Sequence, residues 1–262
     1  MLAARRSRSA TLIVPVHDLT KLRSSEVAAE LVRPLLWLIA CTGLAAAGSI
    51  LAALAVSFCF FLAGLRLVHD AFHYNLSLPR WVTEIVIAAL SAAMLGSMHA
   101  VQIRHLRHHI HCLGEEDFEG SSARKSAWGA ILYGPRFTLE LHRQAWLLGN
   151  GRQRKWMALE LALTVILAAA VRPRWLALHV AAMVLGHCLT AFFAVWTVHH
   201  DCDDVTGIPA RTLRSRWRSF VSQEMFFNLE HHSYPGVPTR RLARLASRLD
   251  AAYPNARRRQ VW

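Results

Sequence analysis

Fifteen histidines stand in the 262 residues of the chain, and seven of them fall in three tight groups. The first group is His69-Asp70-Ala71-Phe72-His73, the second is His105-Leu106-Arg107-His108-His109, and the third is Asn228-Leu229-Glu230-His231-His232. A further pair, His199-His200, follows the last apolar run. Residues at i, i+3 and i+4 share one helix face, with Cβ atoms about 5–6 Å apart. His69 and His73 therefore lie on one stripe, His105, His108 and His109 converge on another, and Asn228, His231 and His232 repeat that spacing. Imidazole suits zinc, copper, iron and nickel. Eight or nine converging imidazoles exceed the needs of one tetrahedral zinc. They fit two metal ions, each with several histidines and an open position for a small ligand. Isolated histidines are read differently: His17, His99, His142, His179 and His187 are expected to be caps or satisfied polar residues. The acidic stretch Glu115, Glu116, Asp117 and Glu119 is read as a solvated loop.

The elements that must carry these residues are apolar. Hydrophobic residues make up 54% of the chain and charged residues 18%, against about 45–50% and about 25% in an ordinary soluble domain. The mean hydropathy is +0.26. These values point to a membrane protein and away from a disordered chain. Five cysteines without a C-x-x-C pair exclude a disulfide scaffold and a thiolate zinc ribbon. From Leu35 to Leu65 there are 31 residues without a charge, while one span needs about 20. Gly48-Ser49 could turn a tight hairpin, so the spacing predicts two helices, roughly 35–48 and 51–73. Ile85 to Met98, only 14 residues, suits an interfacial or re-entrant segment. Trp156–Val171, interrupted by Glu160, and Trp175–Val198 supply two more spans, joined by a short loop at Arg172-Pro173-Arg174.

Residues 1–33, with Arg5, Arg6, Arg8, Lys21, Arg23 and Arg33, read as a basic arm with a short surface helix near 24–32, and no secretory signal is evident there. Residues 34–262 form the domain. The net charge of +13 raises nucleic acid as a partner, but four apolar runs assign the charge to anionic lipid instead, and no nucleic-acid-binding motif is present. Four spans place residues 1–33, 104–155 and 201–262 on the cytoplasmic side by the positive-inside rule. The histidine groups then meet on that one side. Arg240, Arg241, Arg244 and Arg248 read as a solvated or lipid-facing helical stripe.

As a set, HDAFH, HLRHH and NLEHH-SYPGVP resemble the three histidine boxes of the membrane fatty acid desaturases, and the resemblance extends over about residues 33–250. It implies an all-α integral membrane protein, with about four transmembrane helices and a cytoplasmic helical cap that holds a histidine-rich di-metal site. It also implies two iron ions and O2 as co-substrate. The implied ligands are His69, His73, His105, His108, His109, His231 and His232, with one more at the end of the last span, His199 or His200. His199 is favoured on spacing. The third box of the family usually begins with His or Gln, and here that residue is Asn228. Asn228 would bind a metal weakly, hold a metal-bound water, or leave one metal under-liganded, with His200 compensating. Asp70, Glu230 and His111 are candidates to orient the ligating imidazoles.

The implied activity is O2-dependent dehydrogenation of an acyl chain, on an acyl-lipid or acyl thioester, with electrons from a separate ferredoxin or flavoprotein reductase. Phe58, Phe60, Phe61, Phe72, Phe192, Phe193 and Trp196 are candidates to line an acyl tunnel, with plain helix packing as the alternative. The same boxes occur in carotenoid ketolases and lipid hydroxylases, so those activities stay open. A membrane metal transporter is a remote rival, and Asn228 prompts a third reading, a non-catalytic relative. The compact chain suggests a bacterial inner membrane.

Overall fold

The computed structural model describes residues 13–170, 173–203, 208–255 and 258–261. Arg5, Arg6, Arg8 and Arg172 lie outside these residues. The described residues are helical, with two isolated β-bridges and no strand. Helix α1 (Ser24–Ala46) and helix α2 (Ile50–Phe72) form the expected hairpin, and Gly48 at its tip has φ +81°, a left-handed conformation that costs glycine little. Helix α1 begins eleven residues before the expected Leu35 and runs unbroken through Pro34, joining the surface helix anticipated at 24–32 to the first span. The reason lies in Glu30, which is 1% exposed and pairs with the fully buried Arg66 of α2. That pair draws the polar end of α1 into the packed structure.

Helix α3 (Arg80–Met94) and helix α4 (Met98–His111) meet at a bend of 113°. Leu95 adopts a left-handed conformation at the elbow, and the amides of Leu95 and Gly96 donate to the Ser91 carbonyl. The segment 85–98 thus contains a sharp elbow, which fits either a broken span or the re-entrant segment expected there. Helix α5 (Ala127–Leu148) and helix α6 (Gly151–Ala169) are capped by Ser126 and Asn150, whose side chains accept from the amides of Gly129 and Gln153. Helix α7 (Arg174–Thr190) passes through a π-helical stretch, Ala191–Trp196, into a last α-turn, α8 (Thr197–His199). Three short helices follow: α9 (Arg216–Val221), α10 (Asn228–Ser233) and α11 (Thr239–Ala252).

Among the described residues, three helical segments are long and apolar enough to cross a membrane: Ser24–Ala46, Ile50–Phe72 and Arg174–His199, or four if the bent α3–α4 pair counts as one. The expected span at 156–171 differs from this. Its helix, α6, starts at Gly151 and carries Arg152, Arg154 and Lys155 in its first turns and Glu160 within, so too little of it is uncharged. The outer faces are nonetheless lipid-like, with Leu36, Ile39, Leu132, Val165, Ile166 and Leu185 exposed. The core is formed by α2 against α3, α4 and α7, around Phe60, Phe61, Val68, Ile87, Met94 and Met183.

Helix α11 is not a free basic stripe. Leu242, Leu245 and Leu249 pack on Val14 and Leu19. Arg240, Arg241 and Arg248 pair with Glu30, Glu26 and Asp18. Arg244 alone of the four keeps the exposed position expected for it.

Candidate metal centre

Each histidine group is carried by an element whose local sequence aims it inward. His69 lies in the last turn of α2 and His73 is its C-cap. His105, His108 and His109 lie in the last two turns of α4, and His231 and His232 in α10. The position of α4 is set at its other end. Glu160, buried on α6, accepts from the hydroxyls of Ser91 (2.7 Å) and Ser97 (2.6 Å) and from His99 Nδ1 (2.5 Å), and His99 Nε2 donates to Glu84 (3.1 Å). The residue that interrupts the apolar run of α6 therefore clamps the α3–α4 elbow. His142 Nε2 accepts from the Ser97 amide, while His179 and His187 donate to the carbonyls of Ala93 and Met94 at the end of α3. Carbonyls at a helix end lack intrahelical partners, so these histidines serve the elbow as caps.

Two groups of donors result. The first holds His69, His73, His105, His109 and His231, and the second holds His108, Cys112, His199 and His232; within each, one potential ligand atom per residue lies within 4.8 Å of all the others. In the first, Nε2 of His105 is 3.1 Å from Nε2 of both His73 and His109, and Nε2 of His109 is 2.9 Å from that of His231. The His69 ring centroid is 4.1 Å from that of His231. In the second, Nε2 of His108 and His232 are 3.3 Å apart, and the His199 ring is 4.8 Å from that of His108. The groups adjoin where His109 stacks on His232 at 4.5 Å.

Three contacts fix the tautomers. His105 Nδ1 donates to Glu119 at 3.0 Å, His108 Nδ1 to Asp117 at 2.7 Å, and His199 Nδ1 to the Pro209 carbonyl at 2.8 Å. In the neutral form of each ring, Nε2 is then a lone pair turned into its group. Burial and the neighbouring imidazoles push His231 and His232 well below the usual histidine range, and burial pushes His73 down to about 4. These rings are neutral at pH 7. Lone pairs crowded to about 3 Å repel one another unless a cation lies between them. Two nitrogens held at about 2.1 Å from one ion stand roughly 3.0–3.4 Å apart at octahedral or tetrahedral angles, which matches the separations here. His69 Nδ1 is buried and has no hydrogen-bond partner, as suits an atom reserved for a metal. The residues fit two transition-metal ions.

Asp117 and Glu119 were not expected at this site. Glu115 and Glu116 are exposed, but Asp117 and Glu119 turn inward. Burial raises the Asp117 carboxyl; the His108 hydrogen bond and the Gly120 and Leu113 amides outweigh it and hold the group below its usual value. Asp117 is thus an anion. Burial lifts Glu119 to about 7, with the charge of His108 opposing the rise. They follow His109 by eight and ten residues, a spacing that does not by itself separate them from Glu115 and Glu116. Asp70 and Glu230, expected beside the ligands, bond elsewhere: Asp70 accepts from the amide and hydroxyl of Thr239, and Glu230 accepts from Thr212 and Arg214. His111 sits near the surface by Glu116.

The π-helical stretch places His199 and His200 differently. It rotates the end of the helix so that His199 enters the second group. His200 instead stacks on Trp196 at 3.9 Å and donates from Nδ1 to the Trp196 carbonyl, outside both groups. Such stretches are frequent at functional sites. Asn228 lies beside the second group, its Nδ2 3.4 Å from His199 Nε2. A largely apolar cavity adjoins the histidines. Leu62, Leu65, Val68, Phe72, Phe137 and Phe193 line it together with His69, His105, His108, His199, His232 and Asn228. Of the seven aromatics named as candidates, only Phe72 and Phe193 line it.

The family profile "FA_desaturase: Fatty acid desaturase" matches residues 44–262, and that range contains every histidine group just described. A comparison with curated proteins finds no match. Members of the matched family are non-haem di-iron oxidoreductases of membranes that act on lipids. With the match extending over most of the chain and the donor groups in place, the chain belongs to the fatty acid desaturase family.

Proposed function

We propose that the protein is a di-iron desaturase that removes two hydrogens from an acyl chain. The observation that carries this reading is the apolar cavity lined by histidines of both metal groups. A methylene chain bound there would lie against Leu62, Leu65, Phe72 and Phe193 with two adjacent methylenes beside the histidines. The balance is one saturated –CH2–CH2– unit, O2, two electrons and two protons giving –CH=CH– and two waters. Bound iron supplies the O2 reduction and the hydrogen abstraction that side chains cannot.

The residues of the chain do the rest. His69, His73, His105, His109 and His231 hold one ion. His108, His199 and His232 hold the other, with Asn228 alongside. Asp117 and Glu119 fix the imidazoles of His108 and His105 by taking their Nδ1 protons in hydrogen bonds, which orients the rings and raises their basicity. The apolar sides of the cavity keep bulk water from the reacting carbon. A separate donor, a ferredoxin or flavoprotein reductase, supplies the electrons, and the metal site faces the cytoplasm on the basic side of the membrane.

The test is expression in a bacterial host beside a His108→Ala control, with acyl chains compared by mass spectrometry. Chains lighter by two hydrogens in the wild type alone support desaturation. Chains heavier by one oxygen reassign the protein to the hydroxylases or ketolases. Unchanged lipids in a host that supplies an electron donor, together with purified protein free of iron, would overturn the reading.

A further inference from the structure

The two donor groups differ in kind. The first is made of five imidazoles, while the second has three and the thiol of Cys112. Cys112 follows α4 as its C-cap, three residues after His109. Its Sγ lies 3.8 Å from Nδ1 of His232, whose Nε2 faces His108. One atom from each of His108, Cys112, His199 and His232 fits within a single 4.8 Å group, which brings the sulfur to the same place as the three imidazoles. The group is also the one bordered by Asn228, where an imidazole is replaced by an amide.

We propose that Cys112 is a thiolate ligand of the second metal ion, which makes this centre asymmetric: imidazoles alone on one ion, imidazoles and sulfur on the other. The inference rests on the two-metal reading above. On binding, the thiol proton is released to solvent and the sulfur lone pair goes to the metal. A soft thiolate donates more charge than an imidazole, so the second ion differs from the first in potential and in metal preference.

The test uses the full-length protein in detergent, reconstituted with Co(II), whose thiolate complexes absorb strongly in the near ultraviolet. Metal content is measured on the same samples. The wild type is expected to bind two ions per chain and show the sulfur-to-cobalt band. Cys112→Ser is expected to lose the band and bind the second ion at least tenfold more weakly, on the order of an oriented-ligand loss. Cys112→His is expected to keep two ions without the band. Cys202→Ser, which alters the thiol in the cleft beside His199 and His200, is expected to keep both. Two ions per chain without a thiolate band in the wild type would overturn the proposal and leave the two-metal reading standing; the thiol would then act only as a hydrogen-bond partner of His232. Protein that binds neither cobalt nor iron would overturn both.

Discussion

Nδ1 of His108 donates a 2.7 Å hydrogen bond to Oδ2 of Asp117, and both side chains are sealed from solvent. Asp117 in turn receives the amides of Leu113 and Gly120. The carboxylate is therefore held by the chain on one side and holds a metal ligand on the other. Asp117→Asn keeps the shape and removes the charge. Loss of such a partner lowers metal affinity about 10–100-fold. Iron titration of the apoprotein is expected to show that fall for Asp117→Asn and a similar one for Glu119→Gln. Wild-type affinity in both variants would contradict the assignment.

Glu160 joins three partners at the α3–α4 elbow, far from the metals in sequence. Glu160→Ala leaves the Ser97 hydroxyl without its acceptor, His99 with Glu84 alone and Ser91 with the Ile87 carbonyl alone. Breaking a buried charged pair in this way costs about 3–5 kcal/mol. A marked drop in thermal stability in detergent is expected, with a smaller one for Glu160→Gln, which keeps an acceptor oxygen. Metal binding should weaken in proportion, because α4 carries three ligands. Equal stability of Ala and wild type would show that the elbow is held by packing alone.

Helices α5 and α7 touch at Gly134. A Cβ there would lie 1.5 Å from the carbonyl oxygen of Cys188, which is backbone and cannot swing aside. Overpacking typically costs 1–3 kcal/mol, and Gly134→Ala is expected at or above the top of that range. At Gly151, in the first turn of α6, nothing lies within 4 Å of the added carbon. Gly151→Ala is expected to be neutral or to stabilise by up to about 1 kcal/mol. Thermal unfolding of the two variants side by side separates a closed crossing from an open one.

Acidity acts on the apoprotein through two groups of opposite sign. His73 titrates near 4 in the folded state against an ordinary 6.5. The unfolded chain then binds more protons between those values, so His73 makes stability rise with pH up to about 6.5. Glu119 titrates near 7 against 4.5. Here the folded chain binds more protons, so its contribution falls as pH rises from about 4.5 to 7. Glu119→Gln removes the second effect, and the apo variant is expected to gain stability relative to wild type as pH rises through that window. For metal binding, protons compete at His73 only near pH 4.

The histidine groups were legible because i, i+3 and i+4 spacing is a property of any helix and needs no tertiary knowledge. That Ile85–Met98 does not form one straight span was legible from its length. Three things were not. The choice of His199 over His200 depends on a π-helical stretch, which shifts register by a fraction of a turn and has no reliable sequence mark. Asp117 lies in the loop after α4 and Glu119 opens a short 3-10 helix behind it, where the backbone path and not the spacing decides which carboxylates turn inward. Arg240, Arg241 and Arg248 read as a surface stripe because their partners, Glu30, Glu26 and Asp18, lie more than two hundred residues earlier. Glu160 gave a usable signal, since a lone carboxylate in an apolar run is costly without a partner.

Arg66 enters the membrane hairpin long before its partners exist. Its guanidinium grips Glu30 at once, but its remaining hydrogen bonds go to the Gln223 carbonyl and to Glu224, 157 and 158 residues further along. At about 5–20 residues per second of synthesis, that interval is roughly 10–30 s. During it, the first two helices carry a cation that is only half satisfied. Arrival of the loop at 223–224 closes the account electrically, and the same stretch of chain then delivers His231 and His232. Completion of the membrane hairpin and completion of the metal centre are thus one event in the birth of the protein, and a chain cut short before residue 223 lacks both.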